Sequence, residues 1–127
     1  MPFEAGQSWM YRAPQGYERS RIVIGAIAKF EGGNTIICCA VSEAPRRHAD
    51  GTVETVTIPF LPMTETAFQA SVVALDGMSE LPDDFGPRLQ DWSQDPKGLS
   101  AFTVPFEGHL DRMIALQMEK IAAGQAA

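Results

Sequence analysis

Residues 20–42, SRIVIGAIAKFEGGNTIICCAVS, decide how this chain folds. Two runs rich in β-branched residues flank the connection EGGN at 31–34, where glycine or asparagine suits the positive φ of a tight hairpin turn. Alternation along the first run predicts two apolar faces: Ile22, Ile24, Ala26, Ala28 and Phe30 against Val23, Gly25 and Ile27. A strand that is apolar on both sides belongs in the middle of a sheet or barrel, so we predict a central β-hairpin.

Length and composition indicate one ordinary globular domain. The chain has 127 residues, of which 45% are hydrophobic and 20% are charged. No tract approaches the roughly 20 consecutive apolar residues that a membrane helix needs. The first residues, MPFEAG, carry neither a basic region nor an apolar one, so no secretory signal is expected and a cytoplasmic location is predicted.

The two cysteines are adjacent, at Cys38 and Cys39. Successive side chains of a strand point to opposite faces, so the pair is badly placed to form a disulfide or to bind one metal ion. With His48 and His109 they are the only soft ligands in the sequence, and no Cys-x-x-Cys spacing is present. We therefore predict two buried, reduced thiols, no metal site and no cofactor.

Further strands and helices follow from periodicity. Alternation predicts strands at 7–12 and 52–60, and the composition of 99–106 predicts another. Helical spacing of Phe68, Val72 and Leu75 predicts a helix that is capped by Thr64 and ends at Gly77. A second helix is expected after Asp83 or Asp84, and a third over about 107–123.

These elements predict an α+β fold with a mostly antiparallel curled sheet, or a small SH3-like barrel, followed by two or three helices. The whole chain, 1–127, is expected to form a single domain. Its β part spans about 6–60, and a mainly helical part spans about 64–123 with one further strand near 99–105.

Charge is unevenly distributed along the chain. The net charge is −6, yet residues 1–48 contain six Lys or Arg against four Asp or Glu. Six basic side chains flank two predicted loops and form a candidate anion-binding set: Arg12, Arg19, Arg21, Arg46, Arg47 and His48. If the loops meet, guanidinium groups would present donors to phosphate or carboxylate. The alternative is that these are dispersed solubilising charges.

The opening of the chain resembles the toxins of the MazF/PemK type. The resemblance rests on Gly6 and Trp9, on the run RSRIVI at 19–24 and on the strand TIICCAV at 35–41, about the first third of the chain. Members of that family are SH3-like barrels that cleave RNA and form dimers. The resemblance implies catalytic roles for Arg19 or Arg21 and for Ser42. His48, the one imidazole of the candidate anion-binding set, is a further catalytic candidate. The chain departs from the family in its acidic charge, in lacking an Arg-Pro pair at the second strand and in its extra C-terminal helices.

Two hypotheses about function follow. The preferred one is a non-catalytic domain of bacterial type that binds a protein partner or itself, including as a homodimer. Its candidate contact residues are aromatic side chains and the methionines of the last helix: Trp9, Tyr11, Tyr17 and Trp92. The alternative is an endoribonuclease, or another nucleic-acid-binding barrel, that uses the arginines. A small-molecule pocket between barrel and helices is a third hypothesis, and no membrane partner is expected.

Overall fold

The computed structural model describes residues 3–30, 32–33, 35–94 and 101–126, the last five without their side chains. The strands are β1 (Gln7–Tyr11), β2 (Arg21–Lys29), β3 (Thr35–Arg47), β4 (Val53–Thr64) and β5 (Val72–Met78). The helices are α1 (Glu65–Ser71), α2 (Phe85–Ser93) and α3 (Leu110–Ala126). All five strands join one antiparallel sheet in the order β4-β3-β2-β1-β5. The predicted α+β class is confirmed, and β2 is the central strand, as the sequence of the hairpin predicts.

The length of α1 shows why the sheet curls. This helix connects β4 at one edge of the sheet to β5 at the other. Seven residues of helix span only about 10 Å, whereas five strands laid flat would separate the outer two by about 19 Å. The edges therefore approach each other, and α1 packs inside the curve through Ala67 and Phe68.

Both faces of the sheet are covered, as the hairpin predicts. One face, called the α3 face here, packs Trp9, Ile22 and Cys39 against α1 and α3. The opposite α2 face packs Cys38, Ala40 and Phe60 against Phe85 of α2. The predicted orientations of Cys38 and Cys39 are confirmed, and both thiols are free and buried.

A bulge in the middle of β2 corrects one part of the predicted alternation. The register shifts between Ile24 and Ala26, because Ile24 pairs with Cys39 and Ala26 pairs with Cys38. Ala26 therefore lies on the α2 face, and Ile27 packs on the α3 face. Gly25 lies at this bulge beneath the ring of Phe85, where there is no room for a larger residue.

The helix predicted from Thr64 to Gly77 is wrong in its second half. Thr64 is the N-cap, as predicted, and its side chain accepts a hydrogen bond from the Ala67 N–H. The helix ends at Ser71, however, and the chain continues as β5 along the free edge of β1. Val72 and Leu75 pair with Tyr11 and Trp9, so tertiary pairing overrides a spacing that also fits a helix.

Beyond residue 64 the structure describes the three helices α1, α2 and α3 and one further strand, β5, which lies at Val72–Met78 instead of near 99–105. Of the strand predicted at 99–106, residues 99 and 100 lie outside the described residues. Phe102 makes an isolated parallel bridge to Met63 rather than a regular strand. The strands β3 and β4 both extend beyond their predicted ends, and α3 begins at Leu110 instead of about 107. Among the helices that the structure describes, none has the length and apolar character to span a bilayer.

Candidate interaction surface

Arg12 and Arg21, near the start of the sheet, each lie beside a carboxylate. Arg12 contacts Glu107 at 3.0 Å, and both side chains are exposed. The Nε of Arg21 donates to Asp76 on β5 at 2.9 Å, and its Nη1 donates to the backbone carbonyl oxygens of Glu18 and Ser20. Three acceptors thus hold the Arg21 guanidinium, and an anionic ligand would have to displace the Asp76 carboxylate.

The remaining basic residues lie farther along the β3–β4 hairpin. Arg47 contacts Asp111 of α3 at 3.2 Å, and His48 contacts Glu54 at 2.8 Å. Arg46 is the cross-strand partner of Glu54. Arg19 is exposed in the turn before β2. The six residues therefore fall into a group around β1–β2 and a group at the hairpin end, and acidic neighbours accompany most of them.

Of the three residues that the resemblance singles out, Arg21 and Ser42 are direct partners on β2 and β3, whereas Arg19 lies outside both strands. Beside them, the buried hydroxyl groups of Tyr11 and Ser20 lie 2.7 Å apart, and Ser20 donates to the Ser42 carbonyl oxygen. Burial raises the pKa of Tyr11, and the hydrogen bond with Ser20 lowers it by less. Glu43 follows with a φ of +48°, a left-handed conformation that is uncommon for a residue other than glycine.

The cysteines offer neither a nucleophile nor a metal ligand. Burial raises the pKa of Cys38 from its ordinary 9.0 to about 12, and burial together with the neighbouring Cys38 raises the pKa of Cys39 further. A thiol that stays protonated is a poor nucleophile. Within the described residues, no three His, Cys, Asp or Glu side chains are arranged to hold a metal ion.

The aromatic contact residues expected from sequence are largely core. Trp9 and Tyr11 are buried on the α3 face, where Trp9 contacts Phe3 and Phe68. Met113 of the last helix is buried as well. Trp92 packs against Phe60 and so fixes α2 to the sheet. These residues stabilise the fold, so the expectation that Trp9, Tyr11 and Met113 form a contact surface is wrong.

The apolar surface lies instead along β5, which sequence reasoning assigned to a helix. Val73, Leu75 and Met78 are 58%, 50% and 70% exposed. In the part of the chain that the structure describes, β1 is the only strand that pairs with β5, so its outer edge is open. The β-branched pair Val72–Val73 just beyond Ser71 was the signal in the sequence that favoured a strand here.

The opposite edge of the sheet is protected. The strand β4 contains Pro59 and Pro62, which have no backbone N–H to offer to another strand. Phe102 covers its end by donating its N–H to the Pro62 carbonyl and accepting the N–H of Thr64, at 2.9 and 3.0 Å. Among its seven residues β5 has no proline, and Asp76 is its single charged residue.

A cavity of about 220 Å³ opens where β5 begins. Its walls include Ser71, Val72, Val73 and Phe106, and Arg12 and Glu107 form its rim. Ser71 fixes the wall, because its hydroxyl donates to the Ala67 carbonyl oxygen and accepts the Phe106 N–H at 2.8 and 2.9 Å. The open edge thus has a recess at one end and the exposed Met78 at the other.

Comparison of the chain with protein-family models, with curated proteins and with solved structures finds no match. The resemblance to the MazF/PemK toxins stays a prediction from the sequence.

Proposed function

We propose that this protein works as a non-catalytic interaction domain, and that its contact surface is the open edge of β5. The observation that carries the proposal is the exposed run of Val73, Leu75 and Met78 on an edge strand without proline. An edge of this kind presents unpaired backbone N–H and C=O groups beside apolar side chains, which is what a strand from another polypeptide needs in order to pair.

The charges around β5 support the same proposal. Arg21 neutralises Asp76 from within the fold, so the edge does not confront a partner with an uncompensated charge. The groups that catalysis would need are otherwise engaged. The buried thiols stay protonated, and the Arg21 guanidinium is held by one carboxylate and two carbonyl oxygens.

The test uses a strand of known sequence as the probe. A fluorescent peptide with the sequence of residues 71–79, SVVALDGMS, blocked at both ends, is titrated with the protein while anisotropy is recorded. We expect saturable binding that Leu75→Lys in the protein weakens about tenfold, because a half-buried leucine contact is worth about 1.4 kcal/mol. Lysine on an edge also discourages pairing.

Two controls isolate the β5 edge. Leu116 on α3 has a similar exposure, 41% against 50% for Leu75, so Leu116→Lys should leave binding unchanged. A peptide with proline in place of the alanine at position 74 should bind poorly, because proline removes a ladder donor. Absence of binding up to about 1 mM peptide, or equal losses with both lysine variants, would contradict the proposal.

A second candidate function is RNA cleavage, and the observation that favours it is the pairing of Arg21 with Ser42. The strained Glu43 beside them adds support, since strain accumulates at functional sites. Binding to a single-stranded RNA would weaken steeply as salt rises. Arg21→Ala and Ser42→Ala should each abolish cleavage, whereas Lys29→Ala, an exposed cation at the far end of β2, should not. Cleavage that survives both substitutions would remove this candidate.

A further inference from the structure

We infer that the strand bound at the β5 edge is β5 of a second copy, so that the protein forms a two-fold symmetric homodimer. This inference rests on the proposed function and specifies its partner. A copy rotated by 180° about an axis normal to the sheet near Leu75 sets the two β5 strands antiparallel. Leu75 is the middle residue of Val72–Met78, so each end of the strand then lies beside the opposite end of its copy.

The two ends of β5 are complementary to each other. At one end Met78 has its methyl group over Gly6 and 70% of its surface exposed, and the 220 Å³ cavity lies beside Val72 and Val73 at the other end. Both lie toward the α3 face. Met78 pairs with Gln7, whose side chain accepts a hydrogen bond from the Trp9 indole. Phe106, in the cavity wall, makes an edge-to-face contact with the ring of Tyr11. The rotation keeps each face on its own side, and it therefore brings Met78 of each copy to the cavity of the other. A flexible thioether side chain suits such an irregular recess.

Bulges in β5 make this side-chain contact important. The pairing of β5 with β1 shifts twice, which leaves Val73 and Asp76 without partners on β1. These bulges limit the regular stretch to the centre of the strand, around Ala74 and Leu75. Backbone pairing between copies is consequently short, and the Met78 contacts at its two ends must supply much of the affinity.

Charge distinguishes this dimer from a nucleic-acid complex. Each copy carries a net charge of −6, so two copies repel each other at long range, while Asp76 at the contact is neutralised by its own Arg21. Salt screens that repulsion. Raising the salt concentration should therefore strengthen dimer formation or leave it unchanged, whereas it must weaken binding to RNA.

The experiment is sedimentation velocity on the full chain over about 1–100 μM, a range that covers dimers of ordinary micromolar affinity. We expect a concentration-dependent dimer. Met78→Ala, which removes an exposed side chain and leaves the fold intact, should raise its dissociation constant about tenfold or more, because the contact is made twice. Leu75→Lys should have an effect at least as large, and Leu116→Lys should have none.

A cysteine introduced near the axis tests the geometry. Opposed residues of an antiparallel pair have Cα atoms about 5 Å apart, within the reach of a disulfide. Leu75→Cys should therefore cross-link into dimers on mild oxidation, and Leu116→Cys should not. The native thiols of Cys38 and Cys39 are buried, so they should not form disulfides between copies. A monomer at every concentration that still binds the β5 peptide would overturn this inference and leave the proposed function standing. A dimer that ignores Met78→Ala and Leu75→Lys would overturn it as well.

Discussion

The contact between Gly25 and Phe85 helps to hold α2 on the sheet, and Gly25→Ala tests it. A Cβ atom at Gly25 would lie 2.7 Å from Cε2 of Phe85 and closer still to Cζ and Cε1. Non-bonded carbon atoms prefer about 3.5–4.0 Å. The ring must therefore move by about 1 Å or more, and the helix that carries it must move with it. The backbone at Gly25 does not resist alanine, because its φ is not positive.

The magnitude follows from the packing. Overfilling a packed site costs about 1–3 kcal/mol of folding free energy. Alanine offsets about 0.5–1 kcal/mol of this, because glycine in a strand loses more conformational entropy on folding. We expect Gly25→Ala to lower the free energy of unfolding by about 1–2 kcal/mol. Phe85→Ala should cost about 3 kcal/mol, because the ring is 4% exposed and packs on Phe60.

The double variant identifies the cause. Once Phe85 is alanine, the collision is gone and the new methyl group fills part of the space. Gly25→Ala should then be neutral or stabilising in the Phe85→Ala background, a coupling of at least about 1 kcal/mol. Urea unfolding followed by circular dichroism gives the free energies, and hydrogen exchange of the α2 amides reports local release of the helix.

A glycine in α2 supplies the matched control. Gly86 has nothing within 4 Å of its Cβ position and lies in the first turn of the helix. Gly86→Ala should therefore be neutral or stabilising by up to about 1 kcal/mol. An unchanged urea midpoint for Gly25→Ala, or an equal loss with and without Phe85, would refute the proposed collision.

Two further predictions concern buried polar groups. Ser71→Ala should lower the free energy of unfolding in urea by about 1–3 kcal/mol, because the buried Phe106 N–H loses its acceptor. Ser79→Ala, at an exposed position, should lower it by less than about 0.5 kcal/mol. Equal urea midpoints for the two variants would show that the Ser71 hydroxyl is dispensable. The pKa values of Cys38 and Cys39 are raised in the fold, so the thiols lose their protons at lower pH in the unfolded chain than in the folded one. The free energy of unfolding should therefore fall as pH rises above about 9, by roughly 1 kcal/mol per thiol at pH 10. Cys38→Ala should flatten that decline, and a wild-type stability that stays constant from pH 8 to pH 10.5 would contradict it.

The central hairpin could be predicted because the pattern that indicates it lies within the hairpin's own neighbouring residues. Alternation is a property of neighbouring residues, so the opposite orientations of Cys38 and Cys39 follow from the strand assignment alone. The bulge at Gly25 could not be predicted in the same way. Its surroundings include Phe85, sixty residues later in the chain, which packs against a position where only glycine fits.

The partners of the basic residues were also beyond sequence reasoning. The carboxylates that contact Arg12, Arg21 and Arg47 lie 95, 55 and 64 residues farther along the chain. Composition shows a basic first third and an acidic remainder, yet folding brings the two together as ion pairs. Exposed pairs of this kind contribute about 0–1 kcal/mol each to stability. Their larger consequence is that no arginine among these three stands as an isolated cation.

The difference between the two edges of the sheet is the reason for proposing the surface along β5 as a contact surface. The same chain protects β4 with Pro59, Pro62 and the bridge from Phe102, and leaves β5 with three exposed apolar side chains. An unprotected edge exposes a protein to aggregation, and natural sheets counter that hazard with proline, charge or cover. The neutralised Asp76 and the cavity beside Val73 suit a defined partner better than random pairing. An edge that is open and also shaped at both ends favours the proposed two-fold contact over random pairing, and such a contact would limit further growth because it closes on itself.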